Sequence, residues 1–136
     1  MNRVMFSSAS QHWSTPASLY DTLNEEFLFA DDPCPFHGSE DGLERDWRSP
    51  AFINPPYDRT MAKWLRKVRS EARKGVTVVM LVPSRTDTRW WHEYVMKADE
   101  IRFLRGRLKF SGAPYNAPFP SAIVIFKVNE PGLGGK

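Results

Sequence analysis

The stretch that most constrains this chain is Val76-Thr77-Val78-Val79-Met80-Leu81-Val82, seven residues of which six are apolar and four are valine. A short run this β-branched and uncharged reads as a central strand covered on both faces, and Pro83 ends it. Just upstream, Met61, Trp64, Leu65, Val68 and Ala72 recur on one stripe, with Lys63, Arg66, Lys67, Arg73 and Lys74 opposite and Gly75 as a stop. That spacing predicts an amphipathic helix over 60–74 with a basic outer face. A helix feeding a doubly covered strand is the repeating unit of an α/β sheet with helices on both faces.

The other elements are shorter. Thr15 as a cap, Pro16 at the first helical position and Leu19, Leu23 and Phe27 on one face predict a helix from Pro16 to Glu26. Phe27-Leu28-Phe29-Ala30 reads as a short buried strand that halts at Asp31-Asp32-Pro33-Cys34, and residues 33–50 as an irregular connection of the kind that carries function. Ala51–Ile53 is a second short strand. Asp87 caps a helix through Lys97, and strands follow over 101–104, 108–110 and 121–128. With 136 residues there is room for one domain, here 13–129, preceded by an arm (1–12) and followed by a loose glycine-rich tail (130–136).

Composition narrows the class. A 41% hydrophobic and 26% charged chain can bury a core, and its longest apolar run is too short to span a bilayer, so a soluble, cytoplasmic protein without membrane association is expected. A single cysteine, Cys34, excludes an internal disulfide and a multi-cysteine zinc site. Cys34-x-x-His37 is half a metal motif without its other half, so no metal is expected. The net charge of +3 hides a division: 21–48 holds nine acids against two bases, and 59–109 fourteen bases against five acids. Acids favour a cationic ligand, whereas bases attract phosphate.

The chemistry concentrates in Asn54-Pro55-Pro56-Tyr57, at the carboxyl end of the second short strand, where ligands of open α/β sheets bind. Two prolines stiffen the chain and remove two donors, leaving the Asn54 oxygen and the Pro55 carbonyl as fixed acceptors beside the flat ring of Tyr57. An aromatic amine is a poor nucleophile because its lone pair is delocalised. Two acceptors for its N–H groups shift charge onto the nitrogen and aim the lone pair at an electrophilic methyl group, with no strong base required.

These residues, with Trp13-Ser14-Thr15-Pro16, Asp32-Pro33-Cys34, Asp41-Gly42-Leu43, Trp47, Arg105-Gly106-Arg107-Leu108-Lys109-Phe110 and Pro118-Phe119-Pro120-Ser121, make the chain similar to the small phage-type, Dam-like N6-adenine DNA methyltransferases from Trp13 to Lys127. The resemblance implies a minimal Rossmann-like fold with a shortened sheet. It implies methyl transfer from S-adenosylmethionine to a flipped adenine in double-stranded DNA, with Asn54, Pro55, Pro56 and Tyr57 catalytic. It also implies that Trp13, Thr15 and Pro16 cover the methionine end of the cofactor, that Asp32 and Cys34 follow the first strand, and that Asp41 and Leu43 flank the cofactor's adenine. Protection of phage DNA from restriction is the corresponding role, in the cytoplasm of the host. One departure is plain: larger methyltransferases have a glycine-rich turn after the first strand, and here no glycine follows until Gly38.

For DNA, Arg85 and Arg89 beyond the central strand and Arg105, Arg107 and Lys109 near the last hairpin are the candidate contacts. The basic helix face over 63–74 reads as ordinary solvation away from the site. A length of 136 residues leaves no room for a separate recognition domain, so specificity is expected to come from loops such as Ser111 to Pro120 or from dimerisation, or to be low, in a monomer or homodimer. Two other readings fit the same residues: methylation of an RNA amine or a protein amide, and a DNA-binding module without catalysis.

Overall fold

The computed structural model describes residues 12–35 and 40–127. The expected arm other than His12, His37 and Gly38, the end of the last strand at Val128, and the glycine-rich tail lie outside the described residues. The elements are helix α1 (Ala17–Phe27), strand β1 (Ala51–Ile53), helix α2 (Met61–Arg73), strand β2 (Val78–Pro83), helix α3 (Arg89–Glu93), and strands β3 (Glu100–Phe103) and β4 (Ser121–Phe126). Tight 3-10 turns occupy Glu40–Leu43 and Val95–Lys97. The sheet order is β1-β2-β4-β3, with β1 parallel to β2 and the other two pairings antiparallel.

The valine-rich run takes the central place because each of its faces has a core to enter. Val78, Met80 and Val82 meet Trp64, Leu65 and Val68 of α2 together with Trp91 and Val95. Val79 and Leu81 meet Leu23 of α1, Phe110 and Phe119. Helices therefore cover both faces, and full burial of each such side chain stabilises the fold by about 1.5–3 kcal/mol. α2 stops where expected: Gly75 has φ +107°, its N–H donates to Ala72 O (3.1 Å), and that of Val76 donates to Glu71 O (3.1 Å). This pair of bonds closes the last turn around a left-handed glycine.

Several expected elements differ. Phe27 closes α1 instead of opening a strand: Leu28 is left-handed (φ 57°), and the Asn24 side chain accepts from Phe29 N–H at 2.8 Å. Phe29 then packs on Phe52 and Tyr20, and only Asp31 bridges β1, beside Ala51. The 108–110 segment is no strand either, because left-handed Gly106 and Gly112 bracket it and one bridge, Ser111 to Ser14, is all it makes. Its Phe110 is a packing residue. Thr88, not Asp87, caps α3, accepting from Trp91 N–H at 3.2 Å, and the helix breaks at Tyr94 into a 3-10 turn. Pro16, not Thr15, precedes the first turn of α1, and no side chain caps it.

The connection from 40 to 50 is held by two buried acids. Asp31 receives both arms of the Arg45 guanidinium at 2.8 and 3.0 Å and the Arg48 N–H at 2.9 Å. Glu71 on α2 accepts from Trp47 N–H at 3.0 Å and is paired with Lys67 and Lys74. Between them Gly42 rests against Pro33 so closely that a Cβ would lie 2.0 Å from the Pro33 carbonyl oxygen, while its own carbonyl accepts from the Trp47 indole at 2.7 Å. Gly42→Ala is expected to lower stability by about 2 kcal/mol or more through this overpacking. The midpoint of thermal unfolding reads it, and an unchanged midpoint would remove the contact from the account.

Candidate active site

β1 runs straight into Asn54-Pro55-Pro56-Tyr57, and the covering strand end fixes Asn54 from three directions. Both protons of its amide nitrogen are taken: Nδ2 donates to the carbonyl of Trp13 and to Thr15 Oγ1 at 2.9 Å. Its Oδ1 accepts from the Tyr57 hydroxyl at 3.0 Å, and its backbone carbonyl lies 2.8 Å from His12 Nε2. The Thr15 hydroxyl that sequence spacing assigns to a helix cap is spent on Asn54. The amide is thus locked with oxygen, not NH2, toward Tyr57. It is also covered, at 4% exposure, so the open acceptor face expected at Asn54 is closed by residues 12–15 and Tyr57.

The Tyr57 hydroxyl also points at Leu81 O, at 3.4 Å, and burial pushes the phenol above its ordinary range. Tyr57 therefore stays a neutral O–H donor at any physiological pH and cannot serve as a base. Its ring sits edge-on to Phe119 (5.6 Å) and Phe110 (6.3 Å), against which Trp13 also packs. A cavity of about 270 Å³ opens beside Tyr57, lined with it by Asp58, Met61, Pro83, Arg85, Thr88 and Trp90. It lies at the carboxyl end of β2, the place where α/β sheets take their ligands.

On the acidic side, Pro33 and Cys34 are buried and Asp32 is exposed. Partial desolvation raises the Asp32 carboxyl; the Cys34 N–H opposes this, and the neighbouring Asp31 adds to it. Asp31, which sequence alone does not separate from Asp32, is consumed by Arg45. Gly42 brings Asp41 and half-buried Leu43 onto the Pro33 backbone, so the two short motifs form one corner. The close approach here is of the 3-10 turn's Gly42 to the Pro33 backbone. Cys34 Sγ lies 3.9 Å from His12 Nε2, which links this corner to Asn54. The Trp13 indole Nε1 is buried with no hydrogen-bond partner among the described residues. Among those residues no three His, Cys, Asp or Glu side chains gather as a metal site.

Of the candidate DNA contacts, Arg85 stands at the cavity, 5.5 Å over the Phe119 ring. Arg89 is exposed and pairs with Glu93 at 2.8 Å, Arg105 and Arg107 are exposed, and Lys109 donates to Ala113 O at 2.8 Å. Trp91 is core at 2% exposure, whereas Trp90 lines the cavity. Sequence reading missed His12, Asp31, Arg45 and Glu71; the isolated acid on the apolar side of α2 was the available signal for Glu71. Among the described residues no helix is long and apolar enough to cross a membrane.

No curated protein matches the chain. A family model described as DNA N-6-adenine-methyltransferase (Dam) matches residues 5–127, a span that includes the Asn54 site, the acidic corner and the cavity beside Tyr57. With that match over most of its length, the chain belongs to the DNA N-6-adenine-methyltransferase (Dam) family.

Proposed function

We propose that this chain transfers the methyl group of S-adenosylmethionine to the N6 amine of an adenine extruded from double-stranded DNA, with Asn54, Pro55, Pro56 and Tyr57 as the reacting-end machinery. One observation carries the reading: the amide of Asn54 has both protons tied down, so its oxygen, held by the Tyr57 hydroxyl at 3.0 Å, is the atom that can accept from a substrate once that hydroxyl moves. The four-stranded sheet is then a minimal Rossmann-like methyltransferase fold.

In this reading the Tyr57 hydroxyl holds the place of the substrate amine on Asn54 Oδ1. An adenine entering through the cavity stacks on the Tyr57 ring, displaces that hydroxyl and donates one N6–H to Asn54 Oδ1 and the other to the Pro55 carbonyl. Charge moves toward N6, whose lone pair turns out of the ring plane. S-Adenosylmethionine, when bound, would supply the electrophilic methyl group and take the carbon–sulfur electron pair back onto sulfur. Tyr57, protonated throughout, leaves the N6 proton to pass to water after the new C–N bond forms.

The residues suit that cofactor. The unpartnered Trp13 N–H offers a donor to a carboxylate, and Asp32 and Asp41 offer anions to an ammonium and a ribose. Thr15, Pro16, Cys34 and Leu43 complete the wall. Arg85 and Arg89, with Arg105, Arg107 and Lys109, hold the DNA backbone of a target bound by a monomer or homodimer without metal.

The test is incubation with methyl-labelled S-adenosylmethionine and, separately, duplex DNA, RNA and protein, followed by digestion. Label recovered as N6-methyladenine from DNA is the expected result. Label confined to RNA or protein favours the amide or RNA reading, and DNA binding without any transfer favours the inactive module.

A further inference from the structure

A second cavity of about 270 Å³ lies away from Tyr57 and takes no part in the chemistry above. It is lined by Arg69, Arg73, Tyr94, Lys97, Asp99 and Lys127, with Ala72 and Phe126 at its floor. Four cations thus face one carboxylate, and that carboxylate already accepts from the Lys127 N–H at 2.7 Å. The neighbouring acids are engaged as well: Glu93 by Arg89 at 2.8 Å, and Glu100 by Arg102 at 2.6 Å with Lys127 Nζ at 3.7 Å. The Arg69 guanidinium carbon stands 4.5 Å from the centre of the Tyr94 ring. Arg73 makes no ion pair among the described residues.

The position of this cavity gives the charge a meaning. Met61 in the first turn of α2 and Trp90 of α3 line the cavity beside Tyr57, while Ala72 and Arg73 in the last turn of α2 and Tyr94 just past α3 line the second. The two openings therefore stand toward opposite ends of α2, separated along its axis by no more than the roughly 18 Å from Met61 to Arg73 at 1.5 Å per residue. A DNA strand advances about 3.4 Å per nucleotide, so a separation of this order is a few nucleotides. The basic face of α2, which sequence alone reads as solvated surface, then has a second cationic station at a fixed distance from the first.

We infer that this cavity is a DNA phosphate site, holding the sugar–phosphate backbone a few nucleotides from the base presented at Tyr57. The spacing rests on the function proposed above; the binding itself does not require transfer. Each neutralised phosphate contributes about 0.9 to the slope of log affinity against log salt.

The experiment measures affinity for a duplex of adenine-containing DNA by fluorescence anisotropy across a salt series, without S-adenosylmethionine. Arg73→Gln and Lys97→Gln are each expected to reduce the salt slope by about 1, and together to weaken binding about tenfold at low salt. Lys63→Gln removes the same charge near the other end of α2, outside both cavities, and is expected to lower slope and affinity by less than either of these. All three positions are exposed, so thermal midpoints should stay together. Binding unaltered in the Arg73 and Lys97 variants overturns the inference, as does an equal loss in Lys63→Gln, which would mark a diffuse field. Stabilisation by inorganic phosphate that these variants lose, with DNA binding unaltered, overturns it too, by assigning the cavity to a free anion. If the parent chain binds no DNA at all, the proposed function itself fails, a result distinct from each of these.

Discussion

Asn54→Ala is expected to lower methyl transfer to DNA by about a hundredfold to a thousandfold, while affinity for DNA changes by no more than a few-fold. The magnitude follows from removing one preorganised partner of the charge that develops on the amine, an effect on the order of 3–4 kcal/mol in a water-excluded site. The substitution also frees three neighbours: the Trp13 carbonyl and Thr15 hydroxyl lose a donor, and the Tyr57 hydroxyl loses its nearer acceptor. A stability loss of about 1–2 kcal/mol should accompany it, so unfolding is measured beside activity. Tyr57→Phe separates the two roles in the pair. It keeps the stacking ring and removes only the O–H that occupies Asn54 Oδ1 at 3.0 Å, so transfer should fall by less than tenfold. If Tyr57→Phe is as damaging as Asn54→Ala, the hydroxyl takes part in the chemistry and its place-holding role is wrong. If Asn54→Ala retains full transfer, the acceptor mechanism is wrong.

What the sequence makes legible is what is local. The Asn54 motif announces itself because two prolines and an amide at a strand end are a chemical statement within four residues, and α2 and β2 because their patterns run long enough to exclude alternatives. Short segments do not: Phe27, Phe29, Leu108 and Phe110 are apolar for packing, and nothing in segments of three or four residues separates a packed edge from a paired strand. Long-range partnership is the other blind spot. Thr15 is a plausible cap until Asn54, 39 residues away, is seen to take its hydroxyl. Asp31 and Asp32 are neighbours of identical chemistry, and only the fold turns one toward Arg45 and leaves the other in solvent. Glu71 is recognisable as structural only once Trp47 arrives to donate to it. The closed state of Asn54 belongs to the same class, since it is made by residues 12–15, which sequence patterning assigns to a different task.

Asp31→Asn is expected to destabilise the fold by about 2–3 kcal/mol at neutral pH, and the gap from the parent should close as the solution is acidified. Burial pushes the Asp31 carboxyl upward, but the Arg45 fork, the Arg48 N–H and the two guanidinium charges outweigh it and hold the group below its ordinary range. A carboxyl depressed in the folded state contributes stability that is fully present above its unfolded value of about 3.9 and is lost as pH falls through the folded one. Glu71 has the same sign: burial raises it, and Lys74, the Trp47 N–H and Lys67 bring it below the usual carboxylate range. The asparagine keeps one acceptor for the Arg48 N–H but leaves Arg45 without its counter-charge. Arg45 is 38% exposed, so water recovers part of that loss, and the figure is set by charged hydrogen bonds and not by a fully buried pair. Urea midpoints from pH 7 to pH 3 read both effects. The variant should start lower and show the shallower acid limb, with Glu71 and the paired carboxyls of Glu26, Asp46, Glu93 and Glu100 contributing to the slope that remains; a gap that stays constant over that range would mean that the Asp31 charge is not what secures the 40–50 connection.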